Sequence, residues 1–205
     1  MVEYHSARGG KVTVSVNPLP IAQASSFGIV EVNSDYEVVN FQEKPKNPIS
    51  MPDDPRKALA SMGNYIFDAD FLIDELEKDA IKETDHDFGK VILPSLIGKE
   101  KVFAYNYLCN KIPGENPDLP NYWKDVGTLE AYYEANMDLK SVYPRFNLYN
   151  SKWPIRTVSY GDPPAKFVVD ANGVQGEALG SIISEGCIIS GAKVMESVLA
   201  PNAFV

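Results

Sequence analysis

Apolar and polar residues alternate with two different periods along residues 1–143. Segments with a period of two predict β-strands, and segments whose apolar residues recur every three to four positions predict helices. Strands are expected at 11–16, 27–32, 37–41, 62–67 and 102–108, and helices at 68–78, at 87–96 and from 128 onward. Such an alternation is typical of an α/β sheet packed with helices.

Glycine and proline mark the boundaries between these segments. The turn-rich residues 33–35 separate two strands and predict a hairpin. Residues 45–55 hold four prolines and predict a loop, because proline lacks the N–H group that a sheet ladder needs. The pair Gly9-Gly10 comes before the first strand, so we expect it to end a short N-terminal helix and not to cradle a phosphate.

The last part of the chain changes character. Residues 144–173 are rich in proline, show no clear period and predict an extended linker. From residue 174 a period of six places apolar side chains at Ile182, Ile188 and Val194, and two further columns keep step with them. Hexapeptide repeats build triangular coils, so residues 174–205 predict the first coil of a left-handed β-helix. Residues 1–143 would form an incomplete α/β domain.

The composition limits the classes of partner. The 205 residues carry a net charge of -9, which argues against nucleic acid or an anionic membrane surface, because both require clustered lysine and arginine. No apolar run has transmembrane length, and residues 1–8 lack the apolar core of a signal peptide. Cys109 and Cys187 match neither a metal pair nor a disulfide framework, so we expect free thiols and a cytoplasmic protein.

Two short clusters carry the residue types that a sugar phosphate requires. Glu43-Lys44-Pro45 ends a predicted strand, with a cation for the phosphate beside a carboxylate for sugar hydroxyls. The alternative is an exposed ion pair, which contributes at most about 1 kcal/mol. Ser61 and Tyr65 flank Gly63, where the missing side chain leaves room for a ring; the alternative is a buried strand crossing.

Carboxylates at predicted helix starts offer candidate metal ligands. Asp125 lies three positions before Thr128, where the expected helix begins, and a carboxylate there suits Mg²⁺; the alternative, preferred for this residue alone, is an ordinary turn or cap. His86 and Asp87 allow the same two interpretations, and there we prefer a helix cap at Asp87.

Taken in order, the clusters resemble bacterial glucose-1-phosphate adenylyltransferases, also called ADP-glucose pyrophosphorylases. The matching pieces at residues 153–157 and 163–167 are the most specific to this branch of the sugar-nucleotide pyrophosphorylases. The matching pieces are Phe27-Gly28, Glu43-Lys44-Pro45, Ser61-Met62-Gly63, His86-Asp87-Phe88-Gly89-Lys90, Trp123-Lys124-Asp125-Val126-Gly127-Thr128, Trp153-Pro154-Ile155-Arg156-Thr157 and Pro163-Pro164-Ala165-Lys166-Phe167.

The resemblance implies a Rossmann-like nucleotidyltransferase domain and an enzyme that makes ADP-glucose and pyrophosphate from ATP and α-D-glucose 1-phosphate. It also implies a homotetramer at full length, Mg²⁺ held by Asp125, and Asp125 and Lys44 as catalytic residues. The implied glucose 1-phosphate residues are Gly28, Glu43, Lys44, Ser61, Tyr65, Asp87, Phe88 and Trp123.

Other parts of the family's pattern lie outside these residues. The family's glycine-rich nucleotide loop and a second metal-binding aspartate would precede Met1, so we expect a fragment that is inactive alone. Three alternatives stay open: a non-catalytic subunit of the same family, another sugar-nucleotide pyrophosphorylase, and a hexapeptide-repeat acyltransferase. The last is weak, because no histidine lies in the predicted coil.

Overall fold

A five-stranded mixed sheet organises the first of two units in the computed structural model, which describes residues 1–158 and 160–205. The units are Met1–Asn110 and Lys111–Val205. The sheet has the order β3-β2-β4-β1-β5, with β1 antiparallel to β4 and parallel to β5. Its strands are β1 (Val12–Pro20), β2 (Gly28–Val32), β3 (Val38–Glu43), β4 (Lys57–Phe67) and β5 (Val102–Asn106). The predicted α/β sheet is confirmed.

Short helices surround this sheet, and α1 ends as the sequence predicts. Gly9 adopts the left-handed conformation with φ 61°, and its N–H donates to the His5 carbonyl, so the glycine pair does end a helix. The helical elements are α1 (Val2–Arg8), a 3₁₀ turn (Ile21–Ser26), α2 (Ala69–Ala80), a π-helical turn (Phe88–Ile92) that continues into α3 (Leu93–Leu96), and a 3₁₀ turn (Tyr107–Cys109).

Alternation along the strands divides the apolar side chains between the two faces of the sheet. Successive strand residues point to opposite faces, so Leu59 belongs to one buried cluster and its neighbours Ala58 and Ala60 to the other. The larger cluster includes Val12, Val14, Val16, Val30, Val32, Leu59, Ile92, Leu93 and Leu96. The π-helical turn and α3 are therefore held against the sheet by apolar burial.

Strand β1 extends past its predicted end into two prolines. Strand β5 pairs with β1 only as far as Val16, so one edge of β1 is open beyond that point. The Ile21 N–H donates to the Arg56 carbonyl, on the β4 side of the strand. Because N–H groups of successive strand residues point to alternate sides, the odd-numbered residues at this end of β1 direct theirs toward β4. Pro18 and Pro20 fall on the open side, where a missing N–H breaks no ladder bond.

The second unit contains the predicted helix that starts at Thr128. Helix α4 spans Leu129–Leu139, and the Thr128 hydroxyl accepts a hydrogen bond from the Ala131 N–H at 3.1 Å. Its apolar stripe is not buried, since Leu129 is 85% exposed and Tyr133 is 63% exposed.

Three parallel two-stranded ladders form the coil in the second unit. The pairs are β6 (Lys166–Val168) with β9 (Ile188–Ser190), β7 (Glu177–Leu179) with β10 (Lys193–Met195), and β8 (Ile182–Ile183) with β11 (Val198–Leu199). This arrangement, together with the hexapeptide period, confirms the β-helix coil. Its first strand lies at Lys166, inside the segment predicted as a linker.

The register of the coil differs from a strict period of six. Ile182 pairs with Val198, so one turn is shorter than three hexapeptides. Cys187, Ile189 and Val194 are buried, and among the first predicted column of apolar positions only Val194 shares that burial.

Candidate functional site

A cleft of about 380 Å³ opens on the face of the sheet that carries the larger apolar cluster. Four separate parts of the chain line it: the start of β2, the end of β3, the middle of β4 and the turn before the π-helical segment. The lining residues are Gly28, Phe41, Glu43, Ser61, Gly63, Tyr65, His86, Asp87, Phe88 and Gly89. Six of the residues predicted for a sugar-phosphate site are among them.

A bulge in β4 carries two of these side chains. Val14 pairs with Tyr65 and Val16 pairs with Ser61, so Ser15 alone faces residues 62–64. Gly63 takes up the extra length in the left-handed conformation with φ 70°. Its N–H donates to the Ser61 hydroxyl at 3.3 Å. Bulges re-aim side chains, and this one turns both polar residues toward the cleft.

Gly28 lines the cleft without a side chain and so leaves room for the Phe41 ring and the Glu43 carboxylate. It pairs directly with Glu43 across the β2–β3 hairpin. A β-carbon at position 28 would lie 2.6 Å from Phe41 Cζ and 3.0 Å from Glu43 Oε2. A side chain there would therefore displace the ring or the carboxylate that lines the cleft.

Tyr65 lies among the polar groups of the cleft. Burial raises the pKa of its phenol, a hydrogen bond with Ser61 lowers it, and the charges of Asp87 and Glu43 raise it further. The net rise keeps the hydroxyl protonated and able to donate. Its ring stacks on Phe88 with centroids 5.7 Å apart and an angle of 23°. The cleft thus combines an apolar wall with two carboxylates and two hydroxyls.

The turn at residues 84–88 presents Asp87 and Phe88. Asp87 caps the π-helical turn, since its Oδ1 accepts from the Lys90 N–H at 2.8 Å. The preferred cap interpretation is confirmed. His86 Nδ1 lies 2.7 Å from Asp79 Oδ2, so its ring is engaged with the end of α2.

Lys44 is not among the residues that line the cleft. It follows the last residue of β3 with φ 45°, a left-handed conformation that turns the chain away from the strand. Its Nζ lies 3.9 Å from Glu43 Oε1, and its side chain is 66% exposed. In this structure Lys44 has the geometry of the exposed ion pair.

Trp123 and Asp125 belong to the second unit, in the segment before α4. Trp123 is half-buried and Asp125 is exposed. A β-carbon on Gly127 would lie 3.3 Å from Asp125 Oδ2, so the carboxylate lies over that glycine. Within residues 1–158 and 160–205 no three His, Cys, Asp or Glu side chains converge as a metal site. Asp125 offers a single carboxylate.

Two family models match this chain. Residues 1–142 match the model described as nucleotidyl transferase, and residues 163–205 match the one described as GlmU-like, C-terminal hexapeptide. The chain belongs to the nucleotidyl transferase family. The cleft is therefore a feature of its nucleotidyl transferase part, and the three ladders belong to its hexapeptide part.

Curated relatives extend over nearly all of this nucleotidyl transferase chain. It is 45% identical to the glucose-1-phosphate adenylyltransferase of Anaeromyxobacter sp. (strain Fw109-5), over 98% of the chain and 50% of the relative. It is 46% identical to the enzyme of that name from Anaeromyxobacter dehalogenans (strain 2CP-C), over 100% of the chain and 51% of the relative. The chain spans about half the length of the curated relatives it matches.

Four lining residues were not among the predicted site residues: Phe41, Gly63, His86 and Gly89. Gly63, His86 and Gly89 lie within clusters that the sequence singles out, so their position beside predicted residues was the available signal. Phe41 carried none, because an aromatic residue in a strand is most often part of the core.

Two further expectations from the sequence concern the cysteines and membrane-spanning segments. Cys109 is exposed and Cys187 is buried, and both are free thiols in the structure. No helix in the described part of the chain is long and apolar enough to cross a membrane.

Proposed function

We propose that the full-length protein is a glucose-1-phosphate adenylyltransferase, and that this chain carries the sugar-phosphate half of its site. The enzyme would join ATP and α-D-glucose 1-phosphate into ADP-glucose and pyrophosphate for glycogen synthesis. One observation carries the proposal: residues chosen from four separate sequence clusters converge on one cleft. The relatives' names and their identity over nearly the whole chain support the choice of reaction.

The cleft has the chemistry that a hexose requires. Glu43 and Asp87 can accept hydrogen bonds from sugar hydroxyls, and Ser61 and Tyr65 can both donate and accept. Phe88 and the stacked Tyr65 ring provide an apolar wall for the ring carbons. The volume of about 380 Å³ lies within the range of small-molecule sites.

We assign phosphate recognition to Lys44, and we retain Trp123 as a glucose 1-phosphate residue and Asp125 as the Mg²⁺ ligand because the family resemblance implies these roles. A lysine neutralises a phosphate as a point charge without bidentate geometry, so the exposed Lys44 side chain could contact the phosphate after a change of rotamer. Asp125 would hold Mg²⁺, which commonly takes one or two protein carboxylates and completes its shell with phosphate oxygens and water. Bound Mg²⁺ would neutralise charge on the phosphates during adenylyl transfer.

The chain's own contribution to catalysis would be positioning. The cleft would hold the sugar so that its phosphate oxygen faces the α-phosphorus of ATP in line. Positioning of this kind accounts for much of the rate enhancement in enzymatic phosphoryl and nucleotidyl transfer. We also propose a homotetramer for the full-length enzyme, and a cytoplasmic location, because free thiols suit a reducing compartment.

The test is calorimetric titration of the 205-residue chain with α-D-glucose 1-phosphate. Lys44→Ala should weaken binding about 30- to 1,000-fold, the equivalent of a lost charge-assisted contact of roughly 2–4 kcal/mol. Lys46→Ala, two residues further along the same exposed loop, is the matched control and should stay within about twofold. If the two substitutions weaken binding of glucose 1-phosphate equally, Lys44 does not contact the phosphate and belongs only to the exposed ion pair with Glu43.

A competing ligand tests the alternative that the sequence leaves open. Another sugar-nucleotide pyrophosphorylase would bind a different sugar 1-phosphate in the same cleft. N-acetylglucosamine 1-phosphate, titrated in parallel, should bind more weakly than glucose 1-phosphate. Tighter binding of the acetylated sugar would replace the proposed substrate with another sugar 1-phosphate.

A further inference from the structure

The segment that carries Asp87 and Phe88 is tied to helix α2 through a cluster that the proposed function does not use. His86 Nδ1 lies 2.7 Å from Asp79 Oδ2, and the Thr84 hydroxyl donates to Asp79 Oδ1 at 2.9 Å. The Asp79 side chain is only 8% exposed, whereas His86 is 54% exposed. The hydrogen bond from His86 and that from Thr84 hold the pKa of Asp79 below its usual value. A buried carboxylate near the last turn of α2 is thus satisfied by two side chains of the following turn.

The backbone at His86 is in an uncommon conformation. Its φ of 50° is left-handed, which a non-glycine residue rarely adopts without support from its surroundings. The Thr84 hydroxyl also accepts a hydrogen bond from the His86 N–H at 3.2 Å. Hydrogen bonds of the His86 ring and of the His86 N–H therefore both stabilise this left-handed conformation.

The next two residues depend on this turn. Asp87 accepts a hydrogen bond from the Lys90 N–H at 2.8 Å, and Phe88 stacks on the Tyr65 ring, which also lines the cleft. The segment from Phe88 is a π-helical turn, a form that occurs frequently at functional sites. A change of φ at His86 would swing Asp87 and Phe88 together, because both follow it directly in the chain.

We propose that Asp79, Thr84 and His86 form a latch, and that His86 is a positioning residue that holds Asp87 and Phe88 in place for a sugar phosphate. This inference rests on the proposed function for its ligand. The latch itself is a feature of the turn and can be measured without a ligand.

Three substitutions at His86 separate the conformation from the side-chain bond. Asparagine tolerates a left-handed φ and offers an amide N–H near the position of Nδ1, so His86→Asn should keep both features. Glycine keeps only the conformation, and His86→Gly removes the bond to Asp79. His86→Ala loses both.

The first readout is the hydrogen exchange of the Lys90 amide, which reports the Asp87 cap. Exchange should quicken in His86→Ala and in Asp79→Asn, and it should remain close to the unsubstituted chain in His86→Asn. The second readout is the dissociation constant for α-D-glucose 1-phosphate. We expect it to rise about tenfold in His86→Ala, because binding must then reorder the segment, and less than about threefold in His86→Asn.

The chain offers a matched control in its other histidine. His5 is buried and bonded to Thr13 and Asp68, so it resembles His86 in chemistry but lines no part of the cleft. His5→Ala should lower the melting temperature and leave both Lys90 exchange and the dissociation constant unchanged.

The latch is wrong if His86→Ala lowers the melting temperature but alters neither Lys90 exchange nor the dissociation constant. It is also wrong if His86→Asn loses as much affinity as His86→Ala. If the unsubstituted chain binds no glucose 1-phosphate, the proposed function fails, and the exchange data alone then decide whether the latch holds the Asp87 cap.

Discussion

At the scale of single residues, the cleft depends on a position that lacks a side chain as much as on the polar groups around it. Gly28 faces Glu43 across the hairpin, and the space above it is occupied by the Phe41 ring. The polar lining then follows from two backbone features, the bulge at Gly63 and the turn at His86.

Gly28→Ala should damage the cleft. The new β-carbon would meet Phe41 Cζ at 2.6 Å, and overpacking of this kind costs about 1–3 kcal/mol. Urea unfolding should show the loss, and affinity for glucose 1-phosphate should fall with it. Gly89→Ala is the control, because its β-carbon meets the nearest atoms at 3.4 Å. If the two variants unfold alike, the close approach at Gly28 does not exist in solution.

Acid should destabilise the fold through carboxylates that are paired in the native state. Arg56 holds the pKa of Asp54 at about 2, and the pKa values of Asp68 and Asp79 are also lowered, chiefly by Lys11 and His86 respectively. A depressed folded pKa stabilises the fold above the unfolded value. That stability is lost as the pH falls from about 4 toward 2.

The free energy of unfolding, measured against pH, tests this directly. It should decline over that window, and Asp54→Asn should make the decline shallower. Asp53→Asn, the neighbouring carboxylate in the same loop, serves as the control. A curve for Asp54→Asn that runs parallel to the unsubstituted chain would contradict the assignment.

The position of a residue in the cleft was predictable where a cluster carried several polar types together. Glu43, Ser61, Tyr65 and Asp87 reach the cleft as expected. Lys44 does not line it, because a left-handed φ at the strand end cannot be read from Glu-Lys-Pro alone.

At the scale of elements, caps and interruptions set the geometry. Asp68 directly precedes α2, at the position where a capping carboxylate is common. Its carboxylate instead bonds to Lys11 at 2.8 Å and to His5 at 3.3 Å, so a tertiary ion pair replaces the local cap. The local sequence is typical of a cap at Asp68, but it does not show that Lys11, which is distant in the chain, binds the same carboxylate.

Helix α4, in contrast, has a side-chain cap at Thr128. Thr128→Ala should cost about 1 kcal/mol, since the Ala131 N–H would lose its acceptor, whereas Thr128→Ser should retain most of the stability. The free energy of unfolding of the chain is the measurement. A serine variant as unstable as the alanine variant would show that the hydroxyl contributes nothing.

Periodicity located the two elements that build the cleft only in part, and it did not predict their irregularities. Strand β4 was expected to begin at residue 62 and starts at Lys57, because Ala58, Leu59 and Ala60 are all buried and show no alternation of polarity. The bulge and the π-helical turn each insert residues into a regular ladder, and a single sequence carries no periodic sign of either.

At the scale of the whole molecule, the sequence predicted the α/β sheet and the hexapeptide coil, and both are confirmed. The register of the coil was not predictable, because turns between short strands can lose a residue without disturbing the apolar pattern. The apolar stripe of α4 indicated a buried face, yet that face is exposed in the structure.

This exposure predicts self-association. Leu129, Tyr132 and Tyr133 form an apolar surface on one helix, and such surfaces promote contacts between copies despite a net charge of -9. Light scattering should show a mass that grows with protein concentration, and Leu129→Glu should reduce it. A monomer that stays monomeric at every concentration would contradict the prediction.

The most direct test of the central claim is to map where glucose 1-phosphate binds by NMR. Titration of the labelled chain with α-D-glucose 1-phosphate should shift the signals of Gly28, Tyr65 and Phe88 together, with one dissociation constant, and should leave Cys187 and Ile189 in the coil unchanged. Glucose 6-phosphate at the same concentrations should produce much smaller shifts. If the cleft signals do not move, or if both sugar phosphates move them equally, the cleft is not a glucose 1-phosphate site.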